Sequence, residues 1–389
     1  MSKSSGYLPT LDGWRALAVL GVIFGHAELA WRGMDVLPPW ARYLIGGSST
    51  KGVQLFFAIS GFLITSRLVE EWHGFGRISL KRFYVRRACR ILPPALTYLA
   101  ILSILGMASV VALPRGSILS CLLFFRNYWT VQCTTTGHFW SLSIEEQFYL
   151  IWPGILVAAG LRRSKYAASA MILAIVAWRW IAFCQPRIRA LLHGDFWGRS
   201  DICFDGLLAG CLVAVLLDSP LFRKYSAKCL TPRVVVGTVL LILVTAGSTY
   251  TPAGRTLQSV LMPLIVVATV LNPGTRLGRF LENRALRWIG RLSYSLYIWQ
   301  EIFLFLGEKR MGWYPLRFIG LLAVATLSFY FVERPMVKLG YRLAPPPSLG
   351  HPDLVSEPVS RSVPAGILSY QKRPGQMISG APGVPTVAQ

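Results

Sequence analysis

The chain has 389 residues, 53% of them hydrophobic and only 15% charged, with a mean hydropathy of +0.49. A soluble domain carries about 25% charged residues, so a deficit spread over most of the length excludes an ordinary water-soluble globule and points to lipid as the solvent. The net charge is +23, but the basic residues cluster between apolar runs, which assigns them to topology, anionic lipid or an anionic cofactor and leaves no call for nucleic acid as partner.

A membrane span needs about 20 mostly apolar residues. Ten segments meet that description: 11–31, 50–67, 92–113, 139–160, 166–184, 202–218, 234–251, 256–273, 288–306 and 315–333. The expected fold class is therefore all-α, a polytopic membrane bundle of about ten transmembrane helices with no appended soluble domain. With the N-terminus placed in the cytoplasm, the inner segments hold 27 of the 40 Lys and Arg residues. By the positive-inside rule both termini are then cytoplasmic. Asp12 and Arg15 inside the first run, and the lack of a small-residue cleavage pattern, argue that this helix is kept and is not a signal peptide.

The first segment reads LDGWRALAVLGVIFGHA. At 100° per residue Arg15 and His26 point within about 20° of each other and stand about 16 Å apart along the axis, with Asp12 one turn before Arg15. Ionisable groups inside a span face protein or a water-filled cavity. Asp12 and Arg15 equally suit a helix cap and a snorkelling arginine, whereas His26 has an unperturbed pKa near 6.5, suited to general-base work on a hydroxyl. In the second segment Ser60 and Gly61 interrupt an apolar run, a pattern that favours close helix packing. The basic stretch that follows, ISLKRFYVRRACRILPP, sets Arg82, Arg86 and Arg90 at i, i+4 and i+8, with Arg87 at one edge. Guanidinium forks match phosphate oxygens, and anionic lipid would suit the same stripe.

The fourth segment opens GHFWSLSIEEQFYLIWP. Ser141, Glu145, Phe148, Tyr149 and Trp152 share one face, and Glu146 points about 100° away. If this helix enters from outside, Glu145 lies about 9 Å and His26 about 6 Å below the outer surface. The carboxylate is then expected to orient the imidazole and stabilise its protonated form; an unrelated buried ion pair is the plainer reading. Ser293, Tyr294 and Ser295 of the ninth segment could bond across helices, and Glu333-Arg334-Pro335 reads as a stop. His138 borders the fourth segment and could serve the same site, while His73, His138, His193 and His351 show no metal-ligand spacing. None of the seven cysteines forms a C-x-x-C pair; Cys121 with Cys133, or Cys184 with Cys203, could bridge on an oxidising side. From about residue 341 the chain turns rich in Pro, Gly and Ser, which predicts a membrane domain over 1–340 and a disordered cytoplasmic tail over 341–389.

These pieces together resemble the acyltransferase-3 family. The matches are LDGWRALAVLGVIFGHA with its R-x10-H, GVQLFFAISGFLIT, RFYVRRACRILPP, HFWSLSIEEQFYLIWP, LSYSLYIW and VERP, in the family's order from residue 8 to about 336. The resemblance implies a multi-pass protein of the bacterial inner membrane that moves an acyl group, commonly acetyl from acetyl-CoA, onto carbohydrate of the envelope or of secreted polymers, without a metal. It maps the R-x10-H pair to Arg15 and His26, the carboxylate of W-S-L-x-x-E to Glu145, and the basic segment to Arg86, Arg87 and Arg90. Trp140, Ser141, Glu146, Tyr149, Tyr294, Ser60 and Asp12 are the expected supporting residues. Members often carry His after the LYLW run, where this chain has Gln300. A rival reading is a transporter or flippase for lipid-linked sugars, although no inverted repeat is visible; an acyltransferase for a small secondary metabolite is another.

Overall fold

The computed structural model describes residues 7–31, 38–192, 195–245, 250–306 and 314–345. Helices α1 (Pro9–Trp31), α2 (Pro39–Gly46), α3 (Ser48–Phe75) and α4 (Leu80–Met107) lead into two short turns, α5 (Ser117–Leu122) and α6 (Thr134–Gly137). The long α7 (Phe139–Cys184) is followed by α8 (Pro186–Leu191), α9 (Ser200–Leu216), α10 (Pro220–Cys229) and α11 (Pro232–Val244). The chain continues through α12 (Pro252–Leu271), α13 (Arg276–Leu281), α14 (Arg284–Phe305), α15 (Tyr314–Ser328) and α16 (Arg334–Leu343). No strand occurs among the described residues.

Among the described residues, five helical stretches are long and apolar enough to cross a membrane, or six if the bent pair Phe196–Leu216 and Pro220–Cys229 is one span. Large apolar side chains stand exposed on α4 (Leu96, Ile104), α7 (Leu150, Leu173), α11 (Leu240) and α15 (Ile319). In water such a belt would be unusually large, and it suits a lipid-facing surface. Each of the ten predicted apolar segments falls on a helix, with three differences. Segments 139–160 and 166–184 both lie in α7, which bends at Gly160 (φ 70°, ψ 160°). The basic stretch and the third segment are one helix: α4 starts at Leu80, capped by Ser79, and runs through Pro93 and Pro94. Thr97 Oγ1 donates to the Pro93 carbonyl (2.8 Å), capturing an oxygen near the interrupted ladder, as hydroxyls do in membrane helices. α16 continues to Leu343, across the boundary expected near residue 341, and the Gly- and Pro-rich stretch from residue 346 on lies outside the described residues.

α1 is the hub, packed between α3 and α14; α3 lies on α9, α9 on α7, and α16 on α4. Glycines permit this closeness. A Cβ on Gly290 of α14 would collide with the Asp12 backbone carbonyl of α1, and one on Gly61 of α3 with the Leu207 carbonyl of α9. This is the small-residue packing of membrane helices, and it accounts for Gly61 as the sequence reading does. The possible disulfides are not formed: all seven cysteines are free, with Cys184 exposed while Cys203 is buried. The Cys203 thiol donates to the Trp197 carbonyl (2.9 Å).

Candidate active site

A cavity of about 850 Å³ is enclosed by α1, α3, α4, α7, α14 and α16. Tyr7, Phe75 and Tyr341 line it near the chain ends of their helices, and Val53, Ser141 and Tyr297 line it deepest along α3, α7 and α14. From Phe75 to Val53, α3 rises about 33 Å. Arg15, Arg86, Arg87 and Arg90 all face this space, together with Asp12, Ser60, Ser141, Glu145 and Tyr294. Nine of the expected site residues thus share one cavity, and Ser293 lines it too.

Acidic residues position the arginines. Arg87 stacks over the Tyr149 ring at 3.7 Å and stands 3.9 Å from both Glu145 and Glu146. Arg86 is 3.9 Å from Glu71 and lies over the Tyr341 ring at 5.8 Å. Charged hydrogen bonds are about 2.7–2.9 Å long, so these looser separations leave fork donors for a ligand. Arg15 interacts electrostatically with Arg90, Asp12, Glu333 and Arg87. Two guanidinium groups drawn together without a direct ion pair between described residues form a natural anion site. Arg82 is spent differently: its Nη2 is 2.7 Å from Glu71, and it does not line the cavity.

The supporting residues fix this frame. Ser60 Oγ donates to Glu145 (3.0 Å), and the Tyr294 hydroxyl donates to the Ile91 carbonyl (2.7 Å). Ser141 is hydrogen-bonded to the Tyr297 hydroxyl at the inner end of the cavity. Tyr7 donates to Asp12 and accepts from Arg287 (3.3 Å); burial, then the Asp12 carboxylate, pushes its phenol above the ordinary value. Trp140 packs edge-on to Phe57, with ring centroids 6.4 Å apart. Glu333, read from sequence as a stop, is buried; it accepts from Ser295 (2.9 Å) and faces Arg90 and Arg15. A π-helical turn over Phe329–Glu333 delivers it there, and such turns gather at functional sites.

His26 is not in this cavity, and the expected contact between His26 and Glu145 is absent. Glu145 interacts with Arg87, Ser60, Tyr149 and Arg15. The polar neighbours of His26 are Glu301, His138 and Gln300, and Phe305 is the aromatic neighbour. The error lies in the depth count. His138 immediately precedes α7 and is beside His26, so Glu145, seven residues on, is about 10 Å further along the helix axis. The Arg87 guanidinium then draws both carboxylates of α7 toward α4. Glu301 could have been found in the sequence: an acid inside an apolar helix, on one face with Tyr294 and Tyr297 at i, i+3 and i+7, is a functional candidate by default. Among the described residues no group of three His, Cys, Asp or Glu side chains is placed to hold a metal ion; His193 and His351 lie outside them.

A family model described as an acyltransferase domain matches residues 8–334. The peptidoglycan O-acetyltransferase OatA of Listeria monocytogenes is 28% identical, over 87% of this chain and 57% of its own length. A putative peptidoglycan O-acetyltransferase of Bacillus subtilis is 30% identical over 86% and 56%, and a putative O-acetyltransferase of Staphylococcus aureus is 30% identical over 87% and 59%. The chain therefore spans a little over half the length of these relatives. No solved structure matches. With the family model covering nearly all of the helical body that builds the arginine-lined cavity, the chain belongs to the acyltransferase-3 family.

Proposed function

We propose that this protein is a membrane O-acyltransferase that moves an acyl group, acetyl by analogy with its relatives, from acyl-CoA to a hydroxyl of peptidoglycan or another envelope carbohydrate. The observation that carries this reading is the cavity: four arginines on two helices face one long, otherwise largely apolar space. Arg15, Arg86, Arg87 and Arg90 hold the donor's phosphates, and Arg82 keeps Glu71 beside Arg86. The pantetheine arm lies along α3 toward Ser141 and Tyr297. The thioester then reaches His26, which takes the proton of the acceptor hydroxyl. The oxygen attacks the thioester carbon, the C–S bond breaks, and the thiolate leaves with the proton that His26 returns. General-base help of this kind supplies about 10²–10⁴-fold, and holding the two substrates together supplies more. The step needs no metal.

The topology belongs to the same proposal: about ten spans in a bacterial inner membrane, both termini cytoplasmic, and a cytoplasmic tail from about residue 341. The cavity mouth, at Arg67 and Arg86, is then on the side of the acyl-CoA pool. The test is purified protein with labelled acetyl-CoA and soluble peptidoglycan fragments or lipid-linked sugars. The proposal expects acetyl esters on the carbohydrate and free CoA in equal amounts. Translocation of the sugar with the thioester intact would instead establish a flippase.

A further inference from the structure

We infer that Glu301 is the positioning carboxylate for His26, acting with His138, in the role the sequence spacing gives to Glu145. The inference rests on the proposed acyl transfer. Glu301 holds His138 by one hydrogen bond, Oε1 accepting from its backbone N–H (3.0 Å), and its Oε2 lies 2.8 Å from the His138 Nδ1 without forming a second one. The His138 side chain has no exposed surface and that of Glu301 is 6% exposed. Tyr98, Phe139 and Tyr297 pack around the imidazole with ring centroids 5.3, 4.9 and 5.6 Å away. The Tyr297 hydroxyl donates to the His138 carbonyl (3.0 Å). This His138–Glu301 unit is buried, and α1, which carries His26, packs along α14, which carries Glu301.

Two features make the unit more than packing. His26 Nδ1 and His138 Nε2 are buried and have no hydrogen-bond partner among the described residues. Unpartnered buried nitrogens are costly, and these two stand beside the end of the donor cavity, where Tyr297 contacts both Ser141 of its lining and His138. The second feature is charge. Glu145 already faces Arg87 and Arg15. Glu301 interacts instead with His26, His138, Tyr98, Tyr297 and Cys121. When His26 takes the hydroxyl proton it becomes a half-buried cation, and Glu301 is the carboxylate that interacts with it. The charge exists only between proton uptake from the hydroxyl and its return to the CoA thiolate. Stabilisation confined to that interval accelerates the step without tightening ground-state binding.

Glu301→Gln keeps the size and the backbone contact and removes the charge. In full-length protein in detergent, steady-state kinetics with acetyl-CoA and a peptidoglycan-fragment acceptor should show kcat lowered by at least about 10²-fold. KM for acetyl-CoA should stay within about twofold, because the donor's arginines are untouched. Glu301→Asp should recover a substantial part of the rate. Thermal stabilisation by acetyl-CoA reports folding independently of turnover. If Glu301→Gln is not recovered folded, Glu301→Asp decides: about a tenfold fall in kcat at constant KM supports the role, and an unchanged kcat overturns it. An active wild type with an unaffected Glu301→Gln overturns this inference alone. A wild type that leaves acetyl-CoA intact overturns the proposed function and the inference together.

Discussion

Arg87→Met removes the cation between two adjacent carboxylates and tests whether the cavity depends on charge pairing. Arg87 lies 3.9 Å from Glu145 and from Glu146 and stacks on Tyr149 at 3.7 Å. At an effective dielectric of about 20, each 3.9 Å pair is worth about 4 kcal/mol before desolvation and the mutual repulsion of the two acids are subtracted. The cation–π contact adds about 0.5–2 kcal/mol. Breaking a buried pair by deleting one partner costs about 3–5 kcal/mol. These side chains keep only 15–19% of their exposure, so the lower part of that range is expected. The assay is thermal inactivation in detergent, alongside KM for acetyl-CoA. Arg87→Met should lower the inactivation midpoint and raise KM. The decisive arm is a cycle with Glu145→Gln: alone, that change removes a partner and destabilises; in the Arg87→Met background it removes a stranded charge and restores part of the midpoint. Pairs in contact show couplings of about 0.5–3 kcal/mol. Strictly additive losses would refute the claim that Arg87 and Glu145 form one electrostatic unit.

His26→Ala should abolish acetyl transfer, by about 10²–10⁴-fold or more, while acetyl-CoA still stabilises the protein against heat; wild-type product yield would remove His26 from the mechanism. Arg90→Ala should raise KM for acetyl-CoA about tenfold with little change in kcat, and added salt should weaken donor binding less in the variant than in the wild type. Ser60→Ala deletes the 3.0 Å hydrogen bond to Glu145, a contact worth about 1.5–3 kcal/mol when the acceptor is charged; stability measurements should register that loss. Gly290→Ala pushes a methyl group into the Asp12 carbonyl, so the α1–α14 contact must open at a cost of about 1–3 kcal/mol or more, seen as lower yield of folded protein.

Much of the helical framework was legible because apolar runs of span length have few other fates. The Arg86–Arg90 stripe was legible because a 3.6-residue period puts i and i+4 on one face whether or not a helix is declared there. What sequence spacing could not give was the meeting of separate helices. The third apolar segment was counted from residue 92, yet α4 runs from Leu80 through Pro93 and Pro94, so the arginine stripe and that segment are one helix. Glu145 and His26 were matched by counting residues from assumed surfaces, and the count failed because α7 begins beside His26 with His138. Glu333 looked like punctuation, and only a π-helical turn, which has no composition signature, brings it to Ser295 and the arginines.

Cavity length and wall together explain why one fold could serve two sides of a membrane. A hydrocarbon core is about 30 Å thick, and the cavity is lined along α3 from Phe75 to Val53, about 33 Å, with Ser141 and Tyr297 also in its wall. In the proposed orientation the donor need not cross the bilayer, since its phosphates stay with Arg86 and Arg90 while only the acyl end is delivered inward. The acceptor need not cross either, if it meets His26 from the opposite face. At the inner end of the cavity the Tyr297 hydroxyl is hydrogen-bonded to Ser141, and the same hydroxyl also holds the His138 carbonyl (3.0 Å). A residue that lines the proposed donor cavity is therefore tied to the segment that carries His138. On these grounds Tyr297→Phe should leave donor KM near normal but change how tightly acyl transfer is coupled to the acceptor. Faster acetyl-CoA hydrolysis without acceptor is the expected sign, and hydrolysis held at the wild-type level would show that the barrier lies elsewhere.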